Sequence, residues 1–213
     1  MSREGGGAQV DWVDVASAAL LALATVATAW SGYQASRWNG EQAKAGARAN
    51  AARIESSRAA ALANAQKQVD VATFIAWADA YAHRDARLKD FYFDRFRKEF
   101  KPAVEAWVAT KPLKNRSAPL TPFAMPQYRL AEQTKADILE NESERLAAGA
   151  RAYIQRSTNY VLGVVLFATA LFFAGMSAKL PSRRIRIVLL CLGVAVFVGA
   201  VAWIASSPVS VSV

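Results

Sequence analysis

The chain has 213 residues, of which 54% are apolar, and its formal charge of +9 raises the question of nucleic-acid binding. Its Lys and Arg residues are interspersed with Asp and Glu, however, and no nucleic-acid recognition motif is present, so nucleic acid is not the expected partner. The single cysteine, Cys191, allows no intrachain disulfide.

Three apolar segments predict three membrane-spanning helices. Residues 15–36 carry no charge, and the runs from Val161 to Ala178 and from Ile187 to Ala205 are uncharged as well. Each run is about long enough to cross roughly 30 Å of hydrocarbon as a helix. We assign the spans to residues 10–31, 159–178 and 187–206, with a disordered, Gly-rich tail at residues 1–9 and a second tail at residues 207–213.

Residues 32–158 form the predicted polar domain. From Gln34 to Gln68 the chain is rich in Ala, Arg, Gln and Glu, which favours a long helix that continues the first span. Ile54, Leu62 and Val69 recur at eight and then seven residues, a spacing typical of a narrow coiled-coil seam. The main interpretation is nevertheless a solvated, Ala-rich helix that packs against one neighbour.

The rest of the polar domain predicts two further helices around one loop. Aromatic residues recur at three and four from Val71 to Phe100, which predicts an amphipathic helix that Lys101-Pro102 interrupts. Residues 110–125 are Pro-rich and predict the loop at the tip of the domain. A helix from Pro126 is expected to run into the second span, so that two long legs pack antiparallel as a stalk.

The residues between the second and third spans are the strongest topology signal. Short basic loops stay preferentially in the cytoplasm and contact anionic lipid headgroups, so we place this hinge, residues 179–186, inside and the polar domain outside the cytoplasm. Basic residues that flank the polar domain oppose this assignment. The basic residues of the hinge are Lys179, Arg183, Arg184 and Arg186.

Small and hydroxyl-bearing residues in the spans are the candidate helix-contact or pore-lining positions. Small side chains let two helices approach closely, and hydroxyl groups can bond across them. Ala195 and Gly199 form a small-xxx-small pair in the third span. The candidates are Ser17, Thr25, Thr28, Ala195 and Gly199.

Two groups of polar residues were weighed as sites of chemistry. Asp79 and His83 share a helical face, but a metal site needs further ligands, and we expect no metal, cofactor or catalytic residue. An acidic cluster in the last helix of the polar domain could attract cations to a pore mouth, although a solvated helix face explains it as well. The cluster comprises Asp137, Glu140, Glu142 and Glu144.

Three segments of the chain carry a likeness to known proteins. They are ATVATAWSGYQASRWNGEQA, PFAMPQYRLAE and NYVLGVVLFATALFFAG. The chain resembles an uncharacterised group of bacterial three-span membrane proteins that have this order of parts. The resemblance implies the bacterial inner membrane as the location and supplies no catalytic residue.

The sequence therefore predicts an all-α integral membrane protein with a helical stalk between its first and second spans. The expected function is that of a non-enzymatic, homo-oligomeric scaffold or interaction module, with membrane lipids and an envelope protein as partners. The alternative is an oligomeric ion channel in which the first span lines the pathway.

Overall fold

The computed structural model describes residues 11–210, so the predictions for residues 1–9 and 211–213 lie outside the described residues. Three of its helices are long and apolar enough to span a membrane, which confirms the three candidate membrane helices. Within residues 11–210 the chain is all-helical and has no strand. The elements are α1 (Trp12–Ala82), α2 (Ala86–Asp94), α3 (Lys101–Ala109), a 3₁₀ helix (Pro122–Ala124), α4 (Ala131–Lys179) and α5 (Arg183–Ala205).

The chain divides into two compact units, and α1 and α4 each contribute to both. The first unit comprises Met1–Gly46 and Ala147–Val213, and the second comprises Ala47–Leu146. The predicted polar domain, residues 32–158, contains the second unit and shares its two ends with the first.

The buried face of α1 in the first unit is a line of mostly small or polar residues. Apart from the adjacent Gln34 and Ala35, they recur at steps of three, four or seven, the spacing at which one side of a helix faces a neighbour. Small side chains at these positions allow a close approach of the backbones. The buried residues are Val13, Ser17, Leu20, Ala24, Ser31, Gln34, Ala35 and Trp38.

Two glycines mark where α4 and α5 pack most tightly in the first unit. A Cβ atom on Gly193 of α5 would lie 3.1 Å from Leu20 of α1 and 3.3 Å from Phe173 of α4. A Cβ atom on Gly163 of α4 would lie 2.6 Å from the Ile204 side chain. Any larger residue at these two positions would push the helices apart.

The outer surface of the first unit carries the large aliphatic and aromatic side chains. This arrangement, with small or polar residues inside and large apolar residues outside, is the one expected of a helix bundle surrounded by lipid. The exposed residues include Val15, Leu23, Val26, Val161, Val165, Phe172, Val188, Leu192 and Val198.

An aromatic cluster forms the core of the second unit. Phe74 and Trp77 of α1 pack against Phe100, which follows α2, and against Trp107 of α3. The rings of Phe100 and Phe123 are stacked, with centroids 5.0 Å apart. Ring pairs of this kind add to the free energy of burial, and they hold the short helices of the unit against α1.

Serine hydroxyl groups join α1 to α4 beside this core. The Ser143 Oγ atom donates to the Ala49 carbonyl at 3.1 Å, and the Ser56 Oγ atom donates to the Ala136 carbonyl at 2.9 Å. The step from Ala49 forward to Ser56 in α1 corresponds to the step from Ser143 back to Ala136 in α4. Within this unit the two helices are therefore antiparallel.

The single helix predicted from Val71 to Phe100 is wrong. The helix α1 ends at Ala82 because Arg84 adopts a left-handed conformation with φ 61°. The Asp85 carboxylate then accepts the N–H of Leu88 at 3.0 Å and begins α2. The aromatic face is consequently divided between the end of α1, α2 and the segment that follows α2.

The predicted start of the last long helix and the limits of the hinge need correction. The helix α4 begins at Ala131 and not at Pro126. The Glu99 carboxylate accepts the Ala131 N–H at 3.2 Å, which supplies a partner for the first turn. Only residues 180–182 separate α4 from α5, so most of the predicted hinge is helical.

The residues of the predicted α1 seam are not the ones buried within the chain. Ile54, Leu62 and Val69 are all about half exposed. The buried line in this part of α1 uses small residues because they admit the neighbouring helix more closely than large aliphatic residues do. Its members are Ala49, Ser56, Ala59, Ala63 and Asp70.

We predict that Gly193→Val destabilises the first unit by about 1–3 kcal/mol, the usual cost of overpacking. The added methyl groups would collide with Leu20 and Phe173. Thermal unfolding in a mild detergent measures the effect. Gly175→Val is the matched control because nothing lies within 4 Å of a Cβ atom at that position. Equal unfolding temperatures for the two variants would contradict this packing.

Candidate functional site

The hydroxyl-bearing candidates of the first span occupy different settings. Ser17 is fully buried, and its Oγ atom lies 3.3 Å from the Oγ atom of Ser177 in α4. Thr25 is exposed and Thr28 is half-buried, and each hydroxyl group donates to a backbone carbonyl four residues earlier at 2.7 Å. The structure therefore places Ser17 between helices and Thr25 on the outer surface.

The small-residue pair of the third span lies on the outer surface of α5. Ala195 and Gly199 are exposed, and nothing lies within 4 Å of a Cβ atom built on Gly199. Within the chain, Gly193 is the α5 residue that allows close packing. A helix contact through Ala195 and Gly199 would therefore need another molecule.

Three of the predicted headgroup-binding residues end or begin a helix. Lys179 is the last residue of α4, while Arg183 and Arg184 lie in the first turn of α5 and are exposed. Basic residues at a helix N-terminus are unfavourable with the helix dipole, so they gain little from the helix itself. Their exposure leaves them accessible to headgroups.

Arg186 differs from these residues because its guanidinium group is bound within the protein. Its Nε atom donates to the Ser177 carbonyl at 3.0 Å. Its terminal nitrogens donate to the carboxylates of Asp11, at 3.2 Å, and Asp14. This ion pair connects the start of α1 to the start of α5 and gives Arg186 a structural role that the sequence pattern did not indicate.

We predict that Arg186→Gln lowers the free energy of unfolding by about 1 kcal/mol, because it removes the ion pairs of the half-buried guanidinium group with Asp11 and Asp14. Thermal unfolding in nanodiscs at constant salt concentration checks this value. Arg184→Gln removes the same charge from an exposed residue and is the control. If both variants lose stability equally, the ion pair has no special contribution.

The Asp79 and His83 pair gains no further ligand. The His83 Nδ1 atom lies 3.4 Å from an Asp79 carboxylate oxygen, and both side chains are largely exposed. Within residues 11–210 no group of three potential metal ligands is formed by His, Cys, Asp and Glu.

The acidic cluster of α4 is partly neutralised within the chain. The guanidinium group of Arg145 donates to both carboxylate oxygens of Glu142, at 2.7 and 2.9 Å. These hydrogen bonds hold the pKa of Glu142 below its ordinary value. Such an exposed pair at i and i+3 is typical of a solvated helix.

Among the described residues of the second unit, Asp70 is a buried charged group that the sequence analysis did not identify. Its side chain is only 1% exposed. One carboxylate oxygen accepts from Arg97 at 2.9 Å and from the Tyr128 hydroxyl at 3.1 Å. Within the described residues the other oxygen has no hydrogen-bond partner. Burial is the main cause that raises the pKa of Asp70, and Arg97 opposes it.

A hydrogen-bond network extends from Asp70 to the start of α4. Arg97 also pairs with Glu99, and Glu99 accepts the first backbone N–H of α4. Burial and the Asp70 charge both raise the pKa of Tyr128, so its hydroxyl group remains a donor. Asp70 thus connects α1 to the segment after α2 and to the residues that precede α4.

One signal in the sequence could have identified Asp70. It is seven residues after Ala63 and seven before Trp77, and both of these residues are buried. A carboxylate in the middle of a buried heptad line needs a cationic partner. That partner, Arg97, is 27 residues away and follows a break in the helix that was not foreseen.

Comparison of the chain with protein-family models, curated proteins and solved structures finds no match. The geometry of the chain is therefore the basis for a functional proposal.

We predict that Asp70→Asn changes how stability depends on pH. Because the pKa of Asp70 is raised in the folded state, this group contributes stability that is present below its unfolded pKa and is lost as pH rises through the folded value. Relative to Asp70→Asn, the native protein should therefore be most stable at low pH. Thermal unfolding at a series of pH values from 4 to 8 measures the difference.

Tyr128→Phe is the comparison variant, since it removes one hydrogen bond and leaves the carboxyl group in place. It should lower stability by about 1 kcal/mol and retain the pH dependence. A constant stability difference between Asp70→Asn and the native protein across the pH series would contradict the role given to Asp70.

Proposed function

We propose that the protein is a non-enzymatic membrane protein of the bacterial inner membrane that self-associates and acts as a scaffold or interaction module of the cell envelope. In this proposal α1, α4 and α5 cross the bilayer, and the second unit is a helical stalk outside the cytoplasm. The main support for self-association is a line of large, exposed aliphatic residues on α1 in the second unit.

Aromatic residues at the ends of the candidate spans support insertion in a membrane. Trp12 and Trp30 of α1 are both exposed, as are Tyr33 and, near the end of α5, Trp203. Trp12 and Trp30 are separated by 18 residues, or about 27 Å of helix, close to the thickness of hydrocarbon. Exposed Trp and Tyr residues at such a distance fit the two interfaces of a bilayer.

The basic residues at the start of α5 support the proposed orientation. Arg183 and Arg184 are exposed, and no acidic residue lies between Glu144 and the C-terminus. The short connection before α5 would stay in the cytoplasm under the positive-inside bias. The second unit, which lies between the first and second spans in the sequence, would then be outside.

The outward face of α1 supports self-association through the second unit. Ile54, Leu62, Val69 and Ile75 are exposed, whereas the opposite face is buried and consists mostly of Ala and Ser. A groove of ≈ 560 Å³ beside Ile75 is lined largely by apolar atoms of Val71, Ala72 and Ile75, and Lys67 is at its edge. Large apolar side chains outside and small ones inside are typical of an unfilled protein interface.

The charges beside this face are compatible with a protein partner. Arg58 lies within the line of aliphatic residues and pairs with Glu55 at 3.0 Å. This pairing lowers the repulsion that Arg58 would have for the same residue of a second copy. Self-association is therefore the simplest use of this face.

Ion conduction is the alternative function. The hydroxyl groups of Thr25 and Thr28 already donate to carbonyls of their own helix, which leaves them as weak ligands for a passing ion. We therefore rank conduction second. An ion flux that disappears when both threonines are replaced by Leu would reverse this order.

We predict that the double variant Leu62→Glu and Val69→Glu dissociates the assembly, because two charges would be buried in the interface. Mass photometry of the protein in detergent or nanodiscs should show multimers for the native chain and monomers for the variant. Ile138→Glu, at an equally exposed aliphatic residue of α4, is the control. A native chain that is monomeric at all accessible concentrations would refute self-association.

Single cysteines placed on α1 and α4 test the contact and the orientation. In a Cys191→Ser background, Ala65→Cys should form a disulfide between two copies, whereas Ala131→Cys on α4 should not. In intact spheroplasts, a membrane-impermeant maleimide should label the free thiol of Ala131→Cys only if the second unit is outside the cytoplasm.

A further inference from the structure

The loop between α3 and α4 combines exposed leucines with an excess of positive charge. Leu120 is 94% exposed and Leu113 is 68% exposed. Residues 106–131 contain four basic residues and no acidic one. Three of the basic residues, Lys111, Lys114 and Arg116, are exposed in the same loop as the leucines.

Hydrogen bonds hold this loop in a defined shape. The indole N–H of Trp107 donates to the Pro119 carbonyl at 2.6 Å and ties the end of the loop to α3. The Asn115 side chain donates to the Thr110 carbonyl at 3.2 Å and accepts the Ser117 N–H at 3.0 Å. The loop is therefore ordered, and it holds both leucines in contact with solvent.

Neither leucine contributes to the aromatic core of the second unit. An exposed leucine loses the free energy that its burial would provide, so a surface that presents two of them beside cations is suited to a partner that is both apolar and anionic. A bilayer that contains anionic lipid has both properties: its hydrocarbon accepts the leucines and its headgroups attract Lys and Arg.

We propose that residues 110–121 bind an anionic lipid bilayer surface, with Leu113 and Leu120 inserted in the acyl region and Lys111, Lys114 and Arg116 at the headgroups. This binding is separate from the three spans and does not depend on self-association. It gives the second unit a membrane contact of its own.

Other polyanions fit the loop less well. A single-stranded nucleic acid would be expected to use exposed aromatic residues for base stacking, and the aromatic residues near the loop, Trp107 and Phe123, lie in the core of the second unit. An anionic polymer would use the basic residues but would give Leu113 and Leu120 nothing to contact. The bilayer accounts for both features.

Flotation of the full-length protein tests this inference. The protein is placed in nanodiscs of phosphatidylcholine and mixed with vesicles of either pure phosphatidylcholine or phosphatidylcholine with phosphatidylglycerol. Nanodiscs should float with the anionic vesicles only, and 0.5 M salt should release them. The absence of binding, or equal binding to both vesicle types, would overturn the proposal.

Two sets of variants separate the two components of binding. Leu113→Ser with Leu120→Ser should weaken vesicle binding at least about tenfold. Lys114→Gln with Arg116→Gln should weaken it about fivefold for each charge. The control is Ile138→Ser with Lys135→Gln, which alters an exposed aliphatic and an exposed basic residue of α4 and should have no effect.

Two further readouts keep the result unambiguous. The fluorescence emission of the tryptophans should be unchanged in every variant, because Trp107 reports the shape of the loop. If the leucine variants bind anionic vesicles as the native protein does while the Lys and Arg variants do not, the loop binds polyanions in general and insertion in a bilayer is refuted. Self-association is measured without vesicles, so the two proposals can fail separately.

Discussion

The close packing of α1 depends on the small size of its buried side chains. Ala and Ser make up half of the buried line of α1 in the first unit and most of it in the second; they contribute little apolar area but admit another helix at short range. Serine hydroxyl groups can then reach backbone carbonyls of the facing helix, as Ser157 does with Ala35 and Ser143 does with Ala49. Because the small residues occupy the inside, the large aliphatic residues remain outside.

The second unit combines this small-residue contact with one buried charge. Asp70 would be costly to bury alone, and Arg97 and Tyr128 offset part of that cost. The same guanidinium group pairs with Glu99, which in turn binds the first N–H of α4. A carboxylate on α1 thereby influences where α4 begins.

The sequence was sufficient to predict the all-helical architecture and the three candidate spans, because length and hydrophobicity alone determine those features. It did not reveal which face of α1 is buried. A search for large aliphatic residues selects Ile54, Leu62 and Val69, whereas close helix packing selects Ala and Ser. The end of α1 was missed for a different reason: the left-handed Arg84 is a non-glycine residue, and no proline or glycine announces the break.

The residues that pair with Arg186 and with Asp70 were the hardest to predict from the sequence. Arg186 looked like one of four equivalent basic residues, and only the fold brings it to Asp11 and Asp14 at the other end of the sequence. Asp70 and Arg97 are likewise joined by the turn that follows α2. Contacts between distant residues depend on where helices end, so an error of a few residues in a helix boundary conceals them.

The exposed aliphatic residues suit different surroundings in each part of this chain, and the charges beside them indicate which surroundings. In the spans no charge lies among them, which suits lipid on every side. On the outward face of α1 the charge of Arg58 is paired with Glu55, which suits a second protein surface. In the loop after α3 the neighbouring charges are all positive, and only a partner that is apolar and anionic satisfies both Leu120 and Arg116.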